Sequence, residues 1–154
     1  MPQIVKGGKY IYGWLIIKSD KSINLPKMVI EEYKISDKDK CILFTGSKTT
    51  GGFCLSTISL LEKSMLKNIL IDNRELWECR IPEQEFIKYK GRKYCWIPIN
   101  CGKLVLNKNT LTECDLIIDD KLLSIRSSNI AFTLGVKGPI IEQAKKYSGE
   151  IEIF

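Results

Sequence analysis

The 154-residue chain contains no histidine. That removes the commonest general base and the commonest nitrogen ligand of zinc. Six cysteines stand at positions 41, 54, 79, 95, 101 and 114, and no two of them form a Cys-x-x-Cys pair. Without metal-ligand spacing, the thiols read as small core residues in a reducing compartment, with no metal and no bridge expected. There is no Gly-x-Ser-x-Gly elbow and no regular acidic cluster, since the pair Asp119-Asp120 sits in a turn whose counterpart is Lys38-Asp39. The expectation is a protein that is not an enzyme and carries no cofactor. No apolar run approaches the ~20 residues a membrane span needs. The first residues, Met-Pro-Gln-Ile-Val-Lys-Gly-Gly, lack the apolar stretch of a secretory signal. A cytoplasmic protein without a membrane partner follows as an expectation.

What is present is lysine. The chain holds 20 lysines but only four arginines, and its formal net charge is +6. The excess is uneven: residues 1–55 carry nine lysines against five acidic residues. Such a balance suits either a solvated surface or a polyanion site centred on the first half and on Lys88, Lys90, Arg92 and Lys93. Tyr10, Tyr12, Trp14, Tyr94 and Trp96 allow a base-stacking reading, although paired strands use such residues more simply as core and edge aromatics.

The chain repeats itself. Lys6-Gly7-Gly8-Lys9-Tyr10 returns as Lys90-Gly91-Arg92-Lys93-Tyr94, and the register then settles at an offset of 81. Leu25, Lys27, Glu32, Asp39, Lys40 and Ser47 recur as Leu106, Lys108, Glu113, Asp120, Lys121 and Ser128, and the apolar positions follow them. Two copies are too few for a solenoid and suit a pseudo-twofold object. Residues 1–81 form the first repeat, 82–89 a linker and 90–154 the second repeat. Each copy alone is marginal in size, so the halves are expected to share one core.

Most of the chain reads as strand. Tyr10 to Ile17 and Tyr94 to Ile99 are partners, with Pro98 placing the latter at an edge or a bend. Ile23 to Leu25 and Leu104 to Leu106 are short strands. Pro26 opens a short helix with Met28, Val29, Ile30 and Tyr33 on its apolar face, and Lys108 to Cys114 forms a turn or helix in the second copy. Lys40–Thr45 and Gly52–Leu55 make a hairpin, repeated at Leu122–Arg126 and Ile130–Val136. Each copy then closes as helix and strand: Thr57–Ile69 with Leu76–Ile81, and Gly138 to about Tyr147 with Glu150–Phe154.

The loop Gly46-Ser47-Lys48-Thr49-Thr50-Gly51-Gly52 admits two readings. One is an anion nest in which backbone N–H groups and Lys48 face a phosphate or carboxylate; the other is a polar hairpin turn. It is not a Walker A loop, because no glycine precedes Lys48. Lys137-Gly138, ahead of Pro139, could likewise present a helix start to an anion.

Ile23-Asn24-Leu25-Pro26-Lys27, followed by Ile35-Ser36-Asp37-Lys38-Asp39-Lys40 and a hairpin, resembles the AbrB/SpoVT/MazE swapped-hairpin family. The second copy keeps Leu104-Val105-Leu106 and Leu116-Ile117-Ile118-Asp119-Asp120-Lys121, with Asn107 in place of the proline. Two such halves in one chain are similar in layout to MraZ, without its Asp-x-x-x-Arg signature. Lys6-Gly7-Gly8-Lys9-Tyr10, Gly46 to Phe53, Lys137-Gly138-Pro139-Ile140 and Ile151-Glu152-Ile153-Phe154 also look like tandem bacterial members of this superfamily. The resemblance implies a mainly β fold: a pseudo-twofold, double-split β-barrel built from two repeats, with short helices. It implies a transcriptional regulator that docks a basic face on duplex DNA. Lys18, Lys21 and Lys27 stand where the family carries arginines, and lysine attracts phosphate without the bidentate guanine contact of arginine. With Lys6, Lys9, Lys90, Arg92 and Lys93 they form the candidate DNA-binding set. The alternative is a module that binds a protein or a small anion, antitoxin-like or sporulation-associated, without DNA. Either kind of chain could pair again as a homodimer.

Overall fold

The fold is organised around two residue pairs that are their own counterparts. In this computed structural model, which describes residues 10–154, β2 (Ser22–Asn24) pairs antiparallel with β7 (Lys103–Val105), and Ile23 faces Leu104. β4 (Phe53–Thr57) pairs antiparallel with β9 (Phe132–Gly135), and Phe53 faces Leu134. Both pairs are 81 residues apart, the offset of the sequence repeat. A residue that faces its own equivalent lies on the symmetry axis, so a pseudo-twofold runs through both pairs.

The remaining strands obey the same axis. β1 (Ile11–Ile16) of the first half pairs with β8 (Lys121–Arg126) of the second, and β6 (Arg92–Pro98) of the second half pairs with β3 (Lys40–Thr45) of the first. Each half therefore lends its hairpin to the other. With β5 (Ile87–Tyr89), the sheet runs β1-β8-β9-β4-β3-β6-β5. The order is open, and no closed barrel is found among the described residues. A bulge in β1 between Ile11 and Gly13 and a turn one residue longer before β2 absorb the sliding offset near the start of the repeat.

Local chemistry repeats where the sequence does. Asp39 accepts the N–H of Ser36 (2.7 Å), and Asp120 accepts that of Ile117 (3.0 Å). These Asx bonds fold the turns ahead of β3 and β8. Positive φ recurs at Lys34 and Asp115 and at Lys38 and Asp119. The helices start differently: α1 (Lys27–Glu32) follows Pro26, whereas α5 (Lys108–Glu113) is capped by the Asn107 side chain, which accepts the N–H of Thr110 at 2.9 Å. Proline preset and asparagine cap solve the same problem.

Both halves fill one core. Leu15, Ile17, Leu43, Leu55, Ile97, Leu122, Phe132 and Leu134 meet the underside of the β2–β7 ribbon and the inner faces of α1 and α5. The outer sheet face is covered by separate helical layers. α2 (Ile58–Glu62), α3 (Asn68–Ile71) and α4 (Arg74–Trp77) pack on Ile42, Phe44, Cys54 and Tyr94; α6 (Pro139–Lys146) packs on the counterpart residues Leu123 and Ile125.

Several sequence expectations are corrected. The helix expected over Thr57–Ile69 is broken, because the Ser64 hydroxyl donates to Leu61 O (2.9 Å) and accepts the N–H of Leu66 (3.0 Å), closing α2. The strand expected at Leu76–Ile81 does not form. Ile69, Leu70, Asn73, Leu76 and Trp77 are spaced for helical turns, and α3 and α4 bury Ile69, Leu70 and Leu76. Apart from these corrections, the 82–89 segment holds β5, which makes a hairpin with β6 through Lys90-Gly91. The strand expected at Glu150–Phe154 reduces to a parallel bridge of Ile153 with Trp14. There Trp14 N–H donates to Glu152 O and Phe154 N–H to Trp14 O, each at 2.8 Å.

Candidate nucleic-acid interface

The ribbon on the pseudo-twofold is held by crossed backbone bonds. Leu25 N–H donates to Gly102 O and Leu106 N–H to Lys21 O, both at 2.9 Å. The Leu-Pro-Lys and Leu-Asn-Lys segments thus grip each other's turns. They bring Lys18 and Lys21 of one turn, Lys103 of β7, and the first helical residues Lys27 and Lys108 around one ribbon. Lys27 and Lys108 are counterparts at the offset of 81. Lys27 and Glu31 approach only to 4.0 Å, and both are exposed, a geometry in which pairing contributes little. Asp20 also lies among these lysines. The hydroxyl and N–H of Ser22 bond to Asp20 Oδ1 (2.6 and 3.0 Å) and hold its carboxyl below the usual range, helped by nearby Lys103.

The other basic candidates lie elsewhere. Lys90 stands in the β5–β6 turn and Arg92 and Lys93 at the start of β6, at the end of that strand away from the ribbon. Lys90 lies over the Tyr89 ring (5.3 Å), Arg92 over Phe44 (5.4 Å), and Lys93 bonds to Glu113 at 2.6 Å. The equivalent acid of the first half, Glu32, pairs with Arg126. Lys6 and Lys9 fall outside the described residues. The structure thus divides the candidate set between the ribbon and a corner where cations are engaged by rings and an acid.

The two candidate anion elements do meet. Thr50 O accepts the N–H groups of Val136 and Lys137 (2.9 and 3.1 Å), and Gly138, at φ 103°, lies where a Cβ would stand 2.8 Å from Thr49 O. Glycine is required there by both conformation and space. Within the loop, Gly46 N–H bonds to Gly52 O, Gly51 N–H to Ser47 O, and Thr50 N–H to Ser47 Oγ. Those donors are engaged inside the turn, while Lys48 and Lys137 are exposed.

Sequence reasoning missed Gln84. It is 3% exposed at φ 60°. Its N–H donates to Trp96 O (3.0 Å) and its Nε2 to Val105 O (3.0 Å). Its Oε1 accepts from Asn107 N–H (2.8 Å) and Thr110 Oγ1 (2.6 Å), and its carbonyl accepts from Asn109 Nδ2 (2.9 Å). One linker residue therefore ties β6, β7 and α5 together beside the ribbon. Lys103 and Lys108 were also missed as candidates, although the identity of Lys108 with Lys27 in the repeat was a usable signal.

All six cysteines are unbridged. Burial pushes the thiols of Cys41 and Cys114 up to about 12, and that of Cys95 upward as well. Among the described residues, no group of three or more His, Cys, Asp or Glu is placed to hold a metal ion, and no helix is long and apolar enough to cross a membrane. Compared with known proteins, the chain matches no family model, and no curated protein matches it.

Proposed function

We propose that the protein is a duplex-DNA-binding transcriptional regulator of the AbrB/SpoVT type that docks the β2–β7 ribbon and its flanking lysines on the phosphate backbone. The observation that carries the reading is the exchange of hairpins about a pseudo-twofold that also passes through the ribbon. The double-split barrel layout belongs to the same proposal. Duplex DNA has its own local twofolds, so a basic ribbon centred on such an axis meets both strands in equivalent ways. Lys27 and Lys108 are then paired phosphate contacts, with Lys18, Lys21 and Lys103 between them. The scarcity of arginine fits backbone attraction with little direct reading of guanine.

The test compares two triple variants on a random duplex at low salt by fluorescence anisotropy. Lys27→Ala/Lys103→Ala/Lys108→Ala should lose at least tenfold in affinity. Lys90→Ala/Arg92→Ala/Lys93→Ala should lose much less, because Lys93 is already paired. Equal losses would move the interface away from the ribbon. Absence of binding by the unaltered protein would discard DNA in favour of the protein- or anion-binding module.

A further inference from the structure

The pseudo-twofold relates two tryptophans whose surroundings differ. Trp14 pairs with Leu123 and Trp96 with Ile42, and these partners are counterparts 81 residues apart. Both indoles lie on the outer face of the sheet. At Trp96 the chain fills the space itself. Its Nε1–H donates to Ile81 O at 2.7 Å, and Lys40 lies over its ring at 5.4 Å. The segment after α4 supplies that carbonyl. A hollow of about 380 Å³ lies beside Lys40, and Trp96 does not line it.

At Trp14 the same groups border open space. A cleft of about 610 Å³ is lined by Trp14, by Lys121, which is the counterpart of Lys40, and by α6 through Ile141, Ala144 and Lys145. Ile151 and Ile153 form another wall. The remaining indoles are engaged, Trp77 by Glu62 Oε1 at 2.8 Å and Trp96 by Ile81. Trp14 Nε1 has no bonded acceptor among the described residues. The volume lies within the range of small-molecule sites, which combine apolar walls with a few placed polar groups.

We infer that this cleft binds a small organic carboxylate with an apolar body. The filled counterpart defines what an occupant must offer: an oxygen acceptor for the indole N–H and apolar bulk along the sheet. Lys121 and Lys145 add a preference for negative charge. Lys145 also approaches Glu142 at 3.6 Å, and Asp120 at the rim bonds to the N–H of Ile117. Lys121 is therefore the cation assigned to the carboxylate. Val136, Ile141, Ala144 and Ile153 receive the apolar body. The inference stands apart from DNA binding, since the cleft lies on the helix-covered face of the sheet and uses none of the ribbon lysines.

Octanoate is the probe, titrated into the ¹⁵N-labelled full chain, with octan-1-ol as the uncharged control. Three indole N–H signals are assigned with the help of Trp14→Phe. The Trp14 signal should move in a saturable way with octanoate while those of Trp77 and Trp96 stay in place. Octan-1-ol and the variant Lys121→Ala should each weaken the response at least fivefold. Lys40→Ala, at the filled counterpart, should leave it unchanged. A static Trp14 signal, equal shifts of all three indoles, equal binding of octan-1-ol, or indifference to Lys121→Ala overturns the inference.

Discussion

The hydroxyl of Tyr33 donates to the carbonyl of Ser128 at 2.8 Å and lies 3.2 Å from that of Ala131. Tyr33 closes α1 in the first half, and the two carbonyls belong to the turn between β8 and β9 in the second. The bond crosses the exchange on which the fold depends, and burial raises the phenol above its ordinary range. Its ring also packs 5.0 Å from Phe132. Removing the hydroxyl while keeping the ring leaves the carbonyls without this donor. Tyr33→Phe is expected to cost about 1–2 kcal/mol, read as a lower urea midpoint with an unchanged slope. A midpoint equal to that of the unaltered protein would remove this bond from the forces joining the halves.

Gln84 supports the ribbon beside β7 and α5. Truncating it leaves the N–H of Asn107 and the hydroxyl of Thr110 without their acceptor and the carbonyl of Val105 without its donor. Gln84→Ala should cost about 2–3 kcal/mol, within the usual range for buried polar groups left unpaired. Amide exchange should quicken at Asn107 and across β7 more than at β4 and β9. Uniform acceleration over the whole sheet would instead mean that Gln84 has no local role.

The buried thiols set an alkaline limit. Cys41 and Cys114 titrate near 9.0 when solvated and are pushed up to about 12 by burial. The unfolded chain therefore loses these protons first as pH rises, and the folded state binds more protons above about 9. Stability should be level from pH 7 to 8.5 and fall from pH 9 towards 12 under reducing conditions. Cys41→Ala/Cys114→Ala should flatten that fall, after allowance for its lower starting stability. A disulfide reagent at neutral pH should modify exposed Cys101 before the four buried thiols, Cys41, Cys54, Cys95 and Cys114. Early loss of a buried thiol, or a stability profile level to pH 11, would contradict this.

What was legible in the sequence was what the repeat encodes locally. The pairs Asp39/Asp120 and Leu25/Leu106 preserve turn and core chemistry, so the offset of 81 named the residues that meet on the axis. The region after each hairpin was less legible because it differs between copies. Leu76 and Trp77 are adjacent apolar residues that suit a strand as well as a helix, and only their spacing from Ile69 and Asn73 decides between them. Gln84 could not be found by pattern, since its partners lie in three other elements. Lys93 likewise reads as free positive charge until the fold sets Glu113 beside it. The difference between Trp14 and Trp96 is tertiary too: the indoles are matched by strand register, opposite Leu123 and Ile42, and the segments that cover them are not.

The most direct test of the functional account uses Lys27 and Lys108 alone. If the ribbon docks symmetrically, each contributes one phosphate contact. Log K against log salt should flatten by roughly 0.9 in Lys27→Ala, by the same amount in Lys108→Ala, and by about 1.8 in the double variant. The losses should be alike on unrelated duplex sequences. A slope left unchanged by the double variant, when the unaltered protein binds, would contradict docking through the pseudo-twofold ribbon.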